Sequence, residues 1–279
     1  MRIAVVGDLS GHLAPFAGAL AGLGVDVNAA RLPNDLAVVQ VGDLVHKGPD
    51  SDTLVSLADR LLDTNQGRYV QLLGNHEAQY LGGPRFYDQT PLAPVAIATL
   101  RRWRANGALK VATALRTATG ESYLITHAGL THLNFLHHVI TEDAGQAAKM
   151  LNDLLDRRPK VVYAGGVMLH GTRTGMAGPL WAEAGRELYP GWLRAAAAGQ
   201  LLPFGQIHGH SPVLDFTGEL AYPLPADIAA LTTIDVDRRH VSFTIGGQRF
   251  LNVDPGYDHR PPGRSRLHPA IFNGELLLT

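Results

Sequence analysis

The chain has 279 residues, a formal net charge of −1 at pH 7, 46% hydrophobic residues and no cysteine. No segment approaches the roughly 20 consecutive apolar residues of a transmembrane helix. The first residues of the sequence predict a strand and lack the pattern of a secretory signal. We therefore expect a cytoplasmic protein without a membrane partner. The near-neutral charge argues against binding of duplex nucleic acid by bulk electrostatics. Without cysteine, any metal must be bound by Asp, Asn, Glu or His side chains.

Short β-branched runs that end in glycine predict strands buried on both faces. They cover residues 2–7, 36–42, 69–74, 122–129, 160–166 and 204–210. Amphipathic stretches between them predict helices. These cover residues 13–23, 51–64 with a cap at Asp50 or Ser51, 91–105 entered by Pro91 or Pro94, and 141–157 capped by Thr141. The alternation predicts βαβ units and a largely parallel sheet in the front half.

The back third has a different pattern. Residues 231–237, 240–247 and 248–254 are spaced like antiparallel hairpin strands, which predicts a second, mixed sheet. The Pro- and Arg-rich segment 258–269 predicts a loop, and we expect an extended tail over residues 256–279. No internal repeat or low-complexity linker divides the chain, so we expect one domain over residues 1–279.

Polar side chains stand where five of the predicted strands end. The sequences at these points are Gly7-Asp8, Gly42-Asp43, Gly74-Asn75-His76-Glu77, Thr126-His127-Ala128-Gly129 and His208-Gly209-His210. One Gly-Asp pair or one histidine is commonly a turn or a structural residue, but five such strand ends indicate a metal site at the carboxyl edge of the sheet.

The mixture of carboxylate, amide and imidazole ligands favours Mn²⁺, with Fe or Zn²⁺ as alternatives, over Ca²⁺. Two ions that share a carboxylate can clamp the attacking and leaving oxygens of a displacement at phosphorus. Asp43, central in the chain order, is the candidate for the shared carboxylate.

Several motifs together resemble those of the calcineurin-like metallophosphoesterases. They read "VVGD", "VGDLVHKGPDS", "LLGNHEAQYL", "THAGL" and "HGHSP", and "LNVDPG" at 251–256 is similar to the closing strand segment of that family. The forms GDxxxKGPxS and GNHE resemble the phosphoprotein-phosphatase branch, which includes bacterial Ser/Thr or Tyr phosphatases and symmetrical diadenosine tetraphosphatases. The resemblance implies an α/β/β/α sandwich with two central mixed sheets and a metal site at the carboxyl ends of the strands.

The resemblance also implies roles for individual residues. Asp8 and Asp43 would bind the first metal ion, and Asp43, Asn75, His127 and His210 the second. A metal-bridging hydroxide would be the nucleophile, and His76 the general acid. Lys47 stands where eukaryotic members have an arginine, and a lysine cannot grip phosphate bidentately. Arg173 and Arg186 are therefore candidates for a further phosphate-binding residue, with an ordinary surface arginine as the alternative.

The chain departs from the family pattern at two positions. Ser10 stands where the family has a histidine ligand, and a hydroxyl is a poor ligand beside an imidazole. His12 is expected either to complete the metal site or contact phosphate, or to cap or pack against the following helix. His46 stands where the family has an aspartate that orients the catalytic histidine, so we expect Glu77 or Asp50 as possible assistants.

His208 lies two residues before His210 on an extended segment and is a candidate ligand or a donor behind the ligands. Trp181 is expected in the core.

Three functions are compatible with these residues. The leading one is a dinuclear metal-dependent phosphoesterase that hydrolyses phosphomonoesters, with phosphoprotein as a candidate substrate. The alternatives are hydrolysis of dinucleoside polyphosphates such as diadenosine tetraphosphate, and a non-catalytic binding module that retains the fold. The sequence leaves the oligomeric state open.

Overall fold

The computed structural model describes residues 1–86, 90–211, 224–257 and 267–277. The strands are β1 (Arg2–Val6), β2 (Leu36–Gln40), β3 (Tyr69–Leu72), β4 (Leu109–Lys110), β5 (Ala112–Thr117), β6 (Ser122–Thr126), β7 (Gly205–His208), β8 (Thr232–Asp235), β9 (His240–Ile245), β10 (Gln248–Asn252) and β11 (Ala270–Leu277). The helices are α1 (Leu13–Gly22), α2 (Ser51–Thr64), α3 (Asn75–Ala78), α4 (Pro94–Ala105), α5 (His132–His138), α6 (Ala144–Arg157), α7 (Pro159–Val162), α8 (Val167–His170), α9 (Tyr189–Ala197) and α10 (Ala226–Ala229). A π-helical turn, Ala184–Leu188, precedes α9.

The described strands form one hydrogen-bonded series in the order β4-β3-β2-β1-β11-β5-β6-β7-β10-β9-β8. The first four are parallel to one another, with α1, α2 and α4 in the connections. In the second half, β6, β7 and β10 are parallel, whereas the β5–β6, β8–β9 and β9–β10 pairs are antiparallel. The predicted parallel front half and mixed second sheet are both confirmed.

β11 joins the two halves, because it pairs with both of them. Its first part, Ala270 to Asn273, is antiparallel to β1, and its second part, Gly274 to Leu277, is antiparallel to β5. The change of partner occurs at Gly274, where an added Cβ would lie 2.0 Å from the carbonyl oxygen of Arg116. The last described strand of the chain thus links the two sheets by pairing with β1 on one side and with β5 on the other.

The two sheets pack face to face through one apolar cluster. It includes Ile3 and Val5 of β1, Ile125 of β6, Ile207 of β7 and Leu251 of β10, all of them buried. Helices α1, α2, α4 and α6 contribute to a second cluster on the outer faces, and α9 with the π-helical turn packs on β9 and β10. This arrangement confirms the predicted α/β/β/α layering, with β11 as the added link.

Several predicted boundaries were wrong. The strand predicted at 160–166 is the short helix α7, since Pro159 occupies the first helical turn and a short apolar run cannot distinguish strand from helix. The helix predicted from Thr141 begins at Ala144, because the Asp143 side chain accepts a hydrogen bond from Gln146 N and caps it.

The chain end was also predicted incompletely. Residues 270–277 of the predicted tail form β11, and β4 and β5 were not predicted. The predicted loop 258–269 lies outside the described residues except for its last three. The single-domain assignment stays a prediction. Within the described residues, no helix is long and apolar enough to cross a membrane.

We expect Gly274→Ala to lower the free energy of unfolding by about 1–3 kcal/mol, because the new Cβ forces the β11 and β5 backbones apart. The control is Gly18→Ala in α1, where an added Cβ meets no atom within 4 Å. That change should raise the free energy of unfolding by about 0.5–1 kcal/mol through helix propensity. Urea denaturation followed by circular dichroism measures both, and equal stabilities of the two variants would contradict the predicted role of Gly274.

Candidate metal centre and active site

The five polar residues predicted at strand ends meet at one edge of the sandwich. Asp8 follows β1, Asp43 follows β2, and Asn75 begins α3 directly after β3. His127 follows β6 and His210 follows β7, which belong to the other half of the strand series. All five side chains are buried. The site is therefore assembled from both sheets.

Four of these side chains converge on a single point. Asn75 Oδ1 lies 2.9 Å from His127 Nε2 and 3.1 Å from His210 Nδ1. His127 Nε2 lies 3.2 Å from His210 Nδ1 and 3.5 Å from Asp43 Oδ1. A carboxylate, an amide and two imidazoles thus present ligand atoms to one small space.

The chemistry of this set fits a cation. His127 Nδ1 lies 3.0 Å from the carbonyl oxygen of Val41, which can only accept, so Nδ1 carries the proton and Nε2 presents its lone pair to the cluster. Asn75 Oδ1 faces further acceptors, including both carboxylate oxygens of Asp43 at 3.3 and 3.2 Å. Acceptors that face one another repel, and a divalent cation converts that repulsion into coordination. In the absence of a cation, the amide turned by half a rotation donates to the same atoms.

Asp8 lies beside this cluster, and its carboxylate accepts from the backbone N–H of His210 at 3.2 and 3.1 Å. The loop that carries Asp8 is tied to the loop that carries Asp43, because Leu9 N and Ser10 N donate to the carbonyl oxygen of Asp43 at 3.0 and 2.8 Å. These backbone bonds fix the relative positions of the two carboxylates.

Glu77 holds the other pair of ligand loops together. Its Oε2 accepts from Asp43 N and Gly74 N, both at 2.9 Å, and its Oε1 accepts from Val45 N at 3.2 Å. Burial and the Asp43 carboxylate raise the pKa of Glu77 to about 8, while the three N–H groups oppose that rise. Both carboxylate oxygens of Glu77 accept hydrogen bonds from backbone N–H groups. Glu77 therefore clamps the loop that carries Asp43 to the loop that carries Asn75.

His76 lies at the rim of the cluster. Its backbone N–H donates to Asp43 Oδ1 at 3.1 Å, and its Nε2 lies 3.8 Å from Asp43 Oδ2. Burial lowers the pKa of His76 well below its usual value, and the charge of Lys47 and the neighbouring histidines lowers it further. On the opposite side of the ring, His46 Nδ1 lies 2.8 Å from His76 Nδ1.

The predicted phosphate-binding residues differ in position. Lys47 is exposed and directly follows His46, and its charge lowers the pKa of both His46 and His76. Arg186 Nε forms an ion pair of 3.0 Å with Glu183 on the π-helical turn. Arg173 is exposed in the loop after α8. Of the three residues, Lys47 is the one adjacent in the chain to the site residue His46.

The predicted auxiliary residues have other contacts. His12 precedes α1, and its ring packs edge-on against Tyr257 with centroids 5.7 Å apart. Both ring nitrogens of His208 lie near other groups, with Nε2 3.0 Å from Tyr189 Oη and Nδ1 3.1 Å from the carbonyl oxygen of Gly209. Asp50 Oδ2 accepts from Leu13 N at 3.1 Å, which places that carboxylate at the start of α1.

Within the described residues, one group of three carboxylate and imidazole side chains is close enough to hold a metal ion, and it consists of Asp43, His127 and His210. Neither His12 nor His208 joins it. This geometry favours the packing alternative for His12 and, for His208, a position behind the ligands.

Two features of the site were not assigned from the sequence. They are the clamp formed by Glu77 and the contact of Tyr80 with His46, in which Tyr80 Oη lies 2.7 Å from His46 Nε2. Tyr80 lies two residues beyond the end of α3, so no helical spacing in the sequence signals its contact with His46.

Comparison with known proteins agrees with this geometry. The family model described as calcineurin-like phosphoesterase matches residues 1–223. Two solved structures of a cold-active protein tyrosine phosphatase, one of them a point mutant, are similar to the chain with TM-scores of 0.54 and 0.52. Each is 14% identical in sequence, and the match covers 99% of this chain and 74% or 72% of theirs. At that identity the likeness concerns the fold alone. The family match extends over most of the chain and includes all of the converging ligands, and the chain therefore belongs to the calcineurin-like phosphoesterase family.

Proposed function

We propose that the protein is a divalent-metal-dependent phosphoesterase that hydrolyses phosphomonoesters, with phosphoprotein as a candidate substrate. The observation that carries this proposal is the convergence of Asp43, Asn75, His127 and His210 on one point beside His76. Metal ligands next to a buried imidazole can supply both the Lewis acid and the general acid for phosphate ester hydrolysis.

The four converging residues would hold one ion. Asp8 and Asp43 would hold a second, with Ser10 in the position of the missing histidine. Mn²⁺ suits the mixed oxygen and nitrogen set, and Fe or Zn²⁺ is the alternative. When bound, such ions polarise the phosphoryl oxygens and lower the pKa of water.

The chain's own residues supply the remaining steps. Lys47 neutralises charge on the phosphate, and Arg173 or Arg186 is a candidate for a second contact. As the bond between phosphorus and the leaving oxygen breaks, His76 donates the proton on Nε2 to that oxygen. The position of Nε2, 3.8 Å from Asp43 Oδ2, directs it toward the ligand cluster, where the phosphate would bind.

We expect His127→Gln to weaken the binding of Mn²⁺ more than about 100-fold. Loss of a residue that only hydrogen-bonds to a metal ligand costs roughly 10–100-fold, and loss of a ligand should cost more. The reason is that His127 Nε2 is one of four converging ligand atoms. Isothermal titration calorimetry and metal content per chain measure the effect. His137→Gln, which changes an exposed histidine in α5, is the control and should bind Mn²⁺ like the parent protein. Equal affinity in the two variants would contradict the proposed ligand.

We expect His76→Gln to lower kcat for phenyl phosphate by about 10²–10⁴, the usual contribution of a general acid. Its metal content should stay at the parent value, because His76 is not one of the converging ligands. Steady-state kinetics with Mn²⁺ and metal analysis of the same samples make the comparison. A variant with unchanged kcat would rule out His76 as the acid.

The substrate class is tested by a direct comparison of kcat/KM for a phosphotyrosine peptide, a phosphoserine peptide and diadenosine tetraphosphate. We expect a higher value for at least one phosphopeptide, since the proposed substrates are phosphomonoesters. A higher value for diadenosine tetraphosphate would favour the dinucleoside polyphosphate alternative. Absence of turnover, with less than one Mn²⁺ bound per chain, would favour the binding module.

A further inference from the structure

A second imidazole and a phenol hold the ring of His76. His46 Nδ1 lies 2.8 Å from His76 Nδ1, and His46 Nε2 lies 2.7 Å from Tyr80 Oη. Each histidine is 3% exposed. Tyr80 Oη also accepts a hydrogen bond from Leu92 N at 3.3 Å. Tyr80, His46 and His76 thus form a continuous chain of hydrogen bonds that ends at the His76 ring, whose Nε2 lies 3.8 Å from Asp43 Oδ2.

The backbone of His46 is held independently of its ring. Its φ of 75° lies in the left-handed region, which residues other than glycine seldom adopt and which persists only where surrounding contacts hold it. Its N–H donates to Ser51 Oγ at 2.8 Å, and its carbonyl oxygen accepts from Gly48 N at 2.8 Å. Ser51 is the first residue of α2, so the helix start anchors the imidazole.

We propose that His46, held by Tyr80, is the positioning residue that orients the His76 ring so that its Nε2 faces the substrate. The inference rests on the proposed function and adds to it a residue that touches neither metal nor phosphate. His46 thereby supplies a hydrogen-bond partner for His76 at the point where the family resemblance implies a carboxylate.

The contacts hold the His76 ring whichever tautomer each histidine adopts. One of the two facing Nδ1 atoms of His46 and His76 donates and the other accepts, 2.8 Å apart. His46 Nε2 and Tyr80 Oη form the second hydrogen bond at 2.7 Å, and Tyr80 Oη keeps a lone pair for Leu92 N–H. The Nε2 atom of His76 is thereby held 3.8 Å from Asp43 Oδ2, on the side of the ligand cluster.

The reaction step itself is a proton transfer coupled to bond cleavage. A water-derived oxygen bonds to phosphorus, and the bond from phosphorus to the leaving oxygen breaks with its electron pair on that oxygen. His76 Nε2 gives its proton to the same oxygen. Because a misplacement of about 1 Å can cost 10²-fold in rate, the orientation of the ring matters as much as its presence.

The test compares His46→Gly with His46→Asn, since both glycine and asparagine tolerate a positive φ. Asparagine keeps an amide donor and acceptor near the position of Nδ1, whereas glycine removes the hydrogen-bond partner. We expect His46→Gly to lower kcat for phenyl phosphate by about 10²-fold and His46→Asn to recover most of that loss. The loss for para-nitrophenyl phosphate should be about tenfold smaller, because a more acidic leaving group needs less help from an acid. KM and bound Mn²⁺ should change little.

A merely structural role would give a different result. Equal losses on the two esters, or equal rates for the Gly and Asn variants, would overturn the proposal. Tyr80→Phe should reproduce the preferential loss on phenyl phosphate to a smaller extent. Its matched control is Tyr163→Phe, which removes a hydroxyl that donates to the carbonyl oxygen of Leu81 at 3.1 Å. A preferential loss in the control as well would count against the inference.

A spectroscopic measurement separates this inference from the proposed function. In ¹⁵N-histidine-labelled protein loaded with Zn²⁺, a coupling between the two nitrogens across the His46–His76 hydrogen bond is expected, and it should vanish in His46→Asn. Its absence from the parent protein would overturn the inference whatever the activity. If the coupling is present but no phosphate ester is turned over, the proposed function fails while the orientation of His76 by His46 stands.

Discussion

Several buried metal-ligand atoms lie within hydrogen-bonding distance of one another at one edge of the sandwich. The other contacts of the site keep these mutually repelling atoms in place. Asn75 Oδ1, His127 Nε2 and His210 Nδ1 lie 2.9 to 3.2 Å apart, although all three are acceptors toward a cation. Such atoms repel unless an ion or a fixed backbone holds them. The Glu77 carboxylate fixes the backbone of the ligand loops, and the Val41 carbonyl oxygen fixes the ring of His127. A bound ion would remove the remaining repulsion. Binding of that ion would stabilise the fold by linkage.

The arrangement of the sheets makes this site depend on the whole molecule. Asp43 and Asn75 come from the half built around β1 to β4, whereas His127 and His210 come from the half that contains β6 and β7. β11 joins the halves, and the apolar cluster between the sheets sets their separation. Small changes in packing far from the loops would therefore alter distances within the ligand cluster, because close-packed interiors transmit strain.

Backbone strain is concentrated where the chemistry is. Seven non-glycine residues in the described part of the chain have a positive φ, and five of them lie in the site loops. These five are Ser10, Asp43, His46, Lys47 and His210. Left-handed conformations of this kind persist where surrounding contacts over-determine them. Here the contacts are the backbone bonds to Asp43 and Gly48, so the loops are preorganised before substrate binds.

The family resemblance implied the layered fold. The sequence by itself determined the alternation of strands and helices in the front half and the residue types at the strand ends. These are local properties, since hydrophobic periodicity and the residue after a strand can be read without knowing any distant contact. Tertiary structure alone decided that residues 270–277 form the strand between the sheets, because β11 pairs with β1 across almost the whole chain. It also decided that His46 contacts Tyr80 and His76, and that Glu77 clamps backbone. A sequence gives the spacing of such residues but not the direction of their side chains, which the packing of separate loops sets.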